Sequence, residues 1–516
     1  MFRFCLFCRP IVLFRKVEVL TMVLLASTMT ATSRRSFVRS ARKSARSSVR
    51  SFFQGKAASG SESDSSCSST TSSLDRNADH PYRETKLCSI RGAKALELLP
   101  AYLGDARGVA KYHADEQPEG ALSLGVAESK LLEDLLLPRL QQAPSLTADA
   151  IYYQPTSGRD DLKYAVLQYM KELVDNDHLK LDNLVVGSGC NAVLENLCFA
   201  IADPGDTVLI PTPYYAAFEF DLAARASLRV QGFHCHTAVR HSLTPSQPEF
   251  YYPTPDALDA AYERCLKETG RPPKMLLISH PQNPLGICYT ESVVRDCITW
   301  CRERQVHLVS DEIYAGSVHG DGGFTSALTI AGPDIGPFVH WVYALSKDFA
   351  MSGLRIGALY TENEHALLSL QKLNDMCQIS SQTQVWTKEL LLARAPGDDS
   401  MSWTAVFRTE NHTRLRRRAK RVTGILDKYQ VPYLPPTAGL FVWMDLSRFL
   451  PQNDTPDPER ALYLSLISDY GLLLTPGQSM RFTRPGFFRC VFTAATDAEF
   501  EIALERLESM CQAKKL

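Results

Sequence analysis

Between about residue 183 and residue 360, short runs of Val, Ile and Leu recur between longer stretches whose apolar residues return every three or four positions. The runs at 183–189, 206–210, 274–279, 306–311, 340–345 and 355–360 are apolar at consecutive positions, not alternate ones. That pattern predicts strands covered on both faces, as in a largely parallel sheet. Segment 191–202 and segment 290–305 carry helical spacing, and the second fits a crossover between parallel strands. The middle of the chain is therefore α/β, with helices on both sides of the sheet. Beyond about residue 395 the pattern changes. A basic helical stretch, "RTENHTRLRRRAKRVTGILDKY", precedes strand-like runs at "GLFVWMDL" and "FFRCVFT". The expected division is an N-terminal arm with a large domain over 82–395 and a smaller α+β domain over 396–516. No internal repeat is visible.

Composition changes this picture only at the N-terminus. The chain has 516 residues, 45% hydrophobic and 22% charged, with a formal net charge of -1. Those values suit a soluble globular protein and give no electrostatic reason to expect nucleic acid. The first 56 residues differ: Glu18 is their only acid, while Arg, Lys and Ser abound. An Arg-rich, Ser-rich, acid-poor segment has the composition of an organelle-targeting presequence. A disordered basic tail, or a true start at Met22 or Met29, fits equally. Location is thus read as cytoplasmic or mitochondrial, without a choice between them. With the Ser-rich stretch "GSESDSSCSSTTSSLD" that follows, residues 1–81 are expected to form a disordered extension. "VLTMVLLAS" is too short to cross a bilayer, so no membrane partner is expected. Fourteen scattered cysteines include one C-x-x-C, Cys5 and Cys8, with no second pair at zinc spacing. No metal is expected, and the cysteines read as free thiols in a reducing compartment.

In an open parallel sheet, ligands bind beyond the carboxyl ends of the strands. Run 183–189 ends in "GSG", and Gly189, Cys190 and Asn191 then open a helix whose backbone N–H groups suit a phosphate. Run 206–210 leads to "PTPYY", with Tyr214 and Tyr215. Run 274–279 leads to "HPQNPLG", with Asn283. Run 306–311 ends at Asp311, with Tyr314 three residues on. Run 340–345 leads to Ser346 and Lys347. Singly, each has an ordinary use: Asn-Pro makes a turn, Asp caps a helix, a loop lysine is solvated. Together they place a phosphate cradle, an aromatic face, an acid, a phenol and an amine at one sheet edge. That set suits pyridoxal 5'-phosphate (PLP). Arg489 sits in an otherwise apolar strand, where a guanidinium is costly without a carboxylate partner.

"SDEIYA", "HPQNPLG" and "SKDFAMSGLRIG", in this order, resemble the fold-type I PLP enzymes of aminotransferase class I/II. Within that family the sequence is most similar to 1-aminocyclopropane-1-carboxylate (ACC) synthase and its ACC-synthase-like relatives. "PTPYYAAFEFDL", "NPLG", "SKDFAMSGLRIG", "AGLFVWMDL" and "PGFFRCVF" carry that second likeness. The resemblance to the family runs from about residue 90 to the C-terminus. The resemblance implies a mainly parallel central sheet in the large domain and a smaller α+β C-terminal domain. It implies that Lys347 holds PLP as a Schiff base and moves the α-proton, and that Asp311 pairs with the pyridine nitrogen. Tyr314 and Asn283 would bind the phenolic oxygen of the ring. Tyr215 would stack on the ring, with Tyr214 the other candidate. Ser346 and Arg355 would bind phosphate together with Gly189, Cys190 and Asn191. Arg489 would grip the substrate α-carboxylate. Tyr153 would reach the phosphate of a neighbouring subunit, which makes the expected enzyme a homodimer with shared active sites.

Two departures from the family pattern bear on the reaction. Where ACC synthases have the tyrosine of "DYHG", this chain has "PTSG", with Thr156 in its place. Three residues before Lys347 the family usually has a phosphate-binding serine, and here it is Ala344. "GVAES" at 125–129 resembles the "GLAEN" of ACC synthases and sets Glu128 beside the substrate pocket. The leading expectation is an aminotransferase passing an amino group from an amino acid to a 2-oxo acid. The alternatives are an ACC synthase-like lyase acting on S-adenosylmethionine or a β-eliminating lyase, and a PLP-binding protein with little catalysis.

Overall fold

The computed structural model describes residues 89–98, 102–142, 144–235, 242–452 and 455–512. The expectations for residues 1–81, including disorder, targeting and the Cys5–Cys8 pair, lie outside the described residues. Seven strands form the main sheet: β1 (Leu184–Gly187), β2 (Thr207–Thr212), β3 (Arg229–His234), β4 (Met275–Ser279), β5 (His307–Asp311), β6 (Val339–Ala344) and β7 (Gly357–Thr361). Their spatial order is β1-β7-β6-β5-β4-β2-β3. All neighbours are parallel except that β7 runs antiparallel to both β1 and β6. With β7 reversed, the carboxyl ends of β1, β2, β4, β5 and β6 share one sheet edge with the amino end of β7.

The strands are buried along their whole length in β1, β2 and β4 to β7. Strand β3 differs. It is an edge strand, "RVQGFH", half-buried with a polar and glycine-bearing sequence, and the apolar pattern did not reveal it. Helix α1 (Cys190–Ile201) follows β1, and helix α2 (Glu291–Arg304) joins β4 to β5 as its spacing predicts. The Thr290 side chain caps α2 by accepting from the Val293 N–H, and Gln305 ends it in the left-handed region. After β6 the chain turns into the short helix α3 (Leu345–Asp348).

The smaller sheet contains β8 (Tyr433–Leu434), β9 (Phe441–Asp445), β10 (Thr475–Pro476) and β11 (Phe487–Val491), in the antiparallel order β8-β9-β11-β10. The basic stretch forms α4 (Trp403–Lys428), which packs on the last helix, α5 (Asp497–Gln512). Its arginines are largely neutralised by this chain's own acids. Arg414 pairs with Asp134 and Glu410, and Arg421 pairs with Glu501. Arg418 is buried, donating to the Phe492 and Ala495 carbonyls and to Asp497. The N-terminal side of the chain also joins this region, since Leu122–Ser123 pairs in parallel with Leu472–Leu473. Among the described residues no helix is long and apolar enough to cross a membrane.

Candidate active site

A cleft of about 240 Å³ lies at the shared sheet edge. Strand β6 and α3 deliver Lys347 to its floor, where the amine donates to the Ala127 carbonyl at 2.6 Å. Burial and, next, the Arg489 charge bring this amine down to about 8. Behind it, buried Asp348 accepts from the Gly316 N–H and the Tyr343 hydroxyl, both at 2.7 Å, and from the Ser317 hydroxyl. Tyr343 also meets the Tyr169 hydroxyl at 3.2 Å. A fully hydrogen-bonded buried network of this kind fixes the backbone that carries the lysine. Ala344 holds the N-cap position of α3 and makes no side-chain cap, so the serine absent here is also an absent capping group.

Asp311 is the last residue of β5 and is buried. Its Oδ1 accepts from the Ile313 N–H at 3.3 Å and lies 3.8 Å from the Cys190 thiol. Burial raises this carboxyl to about 7. The same burial raises the thiol of Cys190, so it stays protonated and is a donor toward Asp311. Tyr314, one turn past β5, packs edge-on against Phe441 and borders the cleft. Of the adjacent tyrosines, Tyr214 is turned away, its hydroxyl donating to Glu219 at 2.6 Å. Tyr215 is the one that lines the cleft, braced edge-on by Phe218.

Gly189 has φ +90, a backbone conformation that favours glycine, and a Cβ there would displace the Arg355 guanidinium from its place beside it. Arg355 itself sits just before β7 in the left-handed region, donating to the Ser352 carbonyl at 2.8 Å and the Ser188 carbonyl at 3.5 Å. Ser346 lines the same end of the cleft. The Asn191 side chain is drawn off by Asp221, donating to its carboxylate at 2.8 Å, which leaves the backbone N–H as what Asn191 offers the cleft. On the opposite wall Arg489, only 2% exposed, donates from Nη1 to Asn283 Oδ1 and from Nη2 to the Gly125 carbonyl, both at 2.6 Å. A weaker bond reaches Thr475 Oγ1 at 3.3 Å, and the buried Nε has no partner.

These features fit PLP on their own terms. The cleft holds an amine of lowered pKa, a buried acid at a strand end, and a glycine-and-arginine cradle that a Cβ would fill. It also holds a buried guanidinium with an unsatisfied N–H, which in a dry site calls for an anion. Two sequence expectations are not brought to the cleft. Tyr153 is fully exposed on the surface of this chain. Glu128 is exposed at the mouth, accepting from the pocket-lining Ser352 hydroxyl at 3.0 Å. Conversely, Tyr102 and Asp221 line the cleft and were not foreseen. Asp221, raised by burial to about 6, lies within "FEFDL", where helical spacing marks Phe and Leu and nothing marks the acid. Tyr102 comes from a separate short helix, Tyr102–Arg107, and no local motif ties it to the site.

Comparison with known proteins gives a consistent result. The family described as "Aminotransferase class I and II" matches residues 124–507. The chain is 32% identical to 1-aminocyclopropane-1-carboxylate synthase 11 of Arabidopsis thaliana over 412 residues, covering 77% of this chain and 85% of that one. It is 30% identical to 1-aminocyclopropane-1-carboxylate synthase of Malus domestica over 416 residues, covering 77% and 84%. Among solved structures, a single mutant of Thermus thermophilus aspartate aminotransferase aligns with a TM-score of 0.60 and 23% identity, covering 81% of this chain and 95% of that one. Thermotoga maritima aspartate aminotransferase aligns with a TM-score of 0.61 and 19% identity, covering 83% and 100%. At these identities the structural likeness speaks to the fold.

Proposed function

Since the chain belongs to the class I and II aminotransferases, with their fold and their PLP cofactor, we propose that it is an amino-acid aminotransferase working as a homodimer. The observation that carries this reading is the pairing of Lys347 and Arg489 across one cleft, an amine near neutrality facing a buried guanidinium with an unsatisfied N–H. Bound through Lys347, PLP supplies a ring that withdraws electrons from the α-carbon of an amino acid. Its phosphate would be held by Arg355, Ser346 and the N–H groups at Gly189–Asn191. Asp311 would hold the pyridine nitrogen by charge, Tyr215 would cover the ring, and Tyr314 and Asn283 would bind its phenolic oxygen.

Arg489 binds the substrate α-carboxylate, exchanging part of its bonding to Asn283 and Gly125 for two parallel N–H···O bonds. Lys347 Nζ would be the base that takes the α-proton and returns it. An amine with pKa about 8 is well matched to that task near neutral pH. Over a full cycle one amino acid becomes its 2-oxo acid and a second 2-oxo acid becomes its amino acid. Tyr153, fully exposed on its own chain, would reach the site of the partner in that dimer.

A second reading rests on the names of the relatives, which are ACC synthases. In it the same lysine initiates elimination on S-adenosylmethionine. Thr156 supports transamination instead, because it stands where the ACC-synthase pattern has the "DYHG" tyrosine and does not border the cleft. The test is to incubate the PLP-loaded protein with single amino acids and to assay for 2-oxo acid and pyridoxamine phosphate. Their stoichiometric appearance is expected. Release of ACC from S-adenosylmethionine, without pyridoxamine phosphate from any amino acid, would replace this reading with the lyase.

A further inference from the structure

The charge inventory of the cleft points to one class of substrate. Resting on the reading above, we propose that the enzyme selects amino acids with an extended apolar side chain and rejects those with a second carboxylate. Three cationic side chains line the cleft among the described residues: Lys347, Arg355 and Arg489. Each already has an anion or a bond to serve, namely the cofactor carbonyl, the phosphate and the α-carboxylate. None is left over for a distal carboxylate.

The route of the side chain follows from two hydrogen bonds. Arg489 is bonded to the Gly125 carbonyl and Lys347 to the Ala127 carbonyl. The α-carbon of a substrate must lie between Arg489 and Lys347, so its side chain runs beside segment 125–127. Val126 lines the cleft there and is about half exposed, facing outward to the mouth. Tyr102 and Leu103 also line the cleft. Beyond Val126 stands the Glu128 carboxylate, bonded to Ser352 at the rim. The path is thus apolar along its length and negative at its end. An aliphatic or thioether chain buries apolar area along it, whereas a second carboxylate meets no counter-ion and a like charge.

The test measures binding apart from turnover. α-Methyl-L-methionine and α-methyl-L-aspartate have no α-proton, so they can bind without transamination. Their dissociation constants are read from the visible spectrum of the PLP-loaded protein. The expected result is binding of the methionine analogue about 30-fold or more tighter than the aspartate analogue, with Glu128→Gln narrowing that ratio about fivefold by improving the aspartate analogue. Equal or tighter binding of the aspartate analogue would overturn the proposal. A ratio unmoved by Glu128→Gln, or failure of both analogues to bind, would overturn it also. The expected selectivity without 2-oxo acid formation from L-methionine would leave the proposal standing and overturn the aminotransferase reading alone.

Discussion

If Lys347 captures PLP covalently, as proposed, the capture depends on the neutral form of its amine, so pH is the natural perturbation. An ordinary lysine at pH 7 is neutral to only about 0.03%. With its pKa brought down to about 8, Lys347 is neutral to roughly 9% at the same pH, a gain of about 300-fold in reactive amine. The cause is burial first and the Arg489 guanidinium second, both of which disfavour a second positive charge at the cleft floor. The capture rate is therefore expected to rise about tenfold per pH unit below 7, to bend near pH 8 and to level off above 9. Stopped-flow mixing of apo-protein with PLP, followed by the visible absorbance of the lysine-linked cofactor, reads this directly. Linkage gives a matching sign: unfolding restores the ordinary lysine pKa, so the unfolded chain binds more protons between about pH 8 and 10.4 and this lysine adds stability as pH rises through that window. A capture rate still climbing at pH 10, with no bend, would refute the claim that the site has tuned this amine.

Other outcomes are equally specific. On the proposed role of Arg489, Arg489→Lys keeps the charge but loses one of two parallel bonds to the α-carboxylate, worth about 1.5–3 kcal/mol; kcat/KM for the proposed transamination should fall about 10- to 150-fold, measured by 2-oxo acid formation. Asp348→Asn leaves the Gly316, Ser317 and Tyr343 donors facing an uncharged amide; a loss of about 2–4 kcal/mol is expected in urea unfolding of the apo-protein. If Tyr153 serves the partner's site, Lys347→Ala and Tyr153→Ala chains, each inactive alone, should regain activity when refolded together, because the hybrid contains one site with both residues. Absence of recovery, with mixed dimers verified by mass, would remove Tyr153 from the site.

Much of this was legible in the sequence because a buried parallel strand can hardly hide. Its consecutive apolar residues announce it, and whatever follows its carboxyl end lies at the ligand edge. Lys347, Asp311, Tyr314 and Ser346 were found by that rule, and the structure gathers them in one cleft. Strand β3 escaped because an edge strand has one covered side and tolerates polar residues. The choice between Tyr214 and Tyr215 is decided by Glu219, which claims the first hydroxyl. That contact depends on the bend of the loop and not on either tyrosine. Tyr102 and Asp221 escaped for another reason: their neighbours in space are remote in sequence, and nothing local distinguishes them from a surface phenol and a helical acid. Asn283 was foreseen as a cofactor ligand, while its bond to Arg489 joins a loop after β4 to β11 of the smaller sheet and has no signature in either segment.

The pairing of Leu122–Ser123 with Leu472–Leu473 gives the molecule a property that no single residue has. About 350 residues separate these partners, so during synthesis the main sheet is complete long before the second strand leaves the ribosome. Until then the adjacent segment Gly125–Ala127 has no Arg489 to bond and no fixed place over Lys347. A nascent chain would therefore own every residue of the main sheet and still lack a closed cleft. Termination before Arg489 should yield a protein with a formed main sheet that cannot grip an amino acid, because the strand that carries this residue is made well after that sheet.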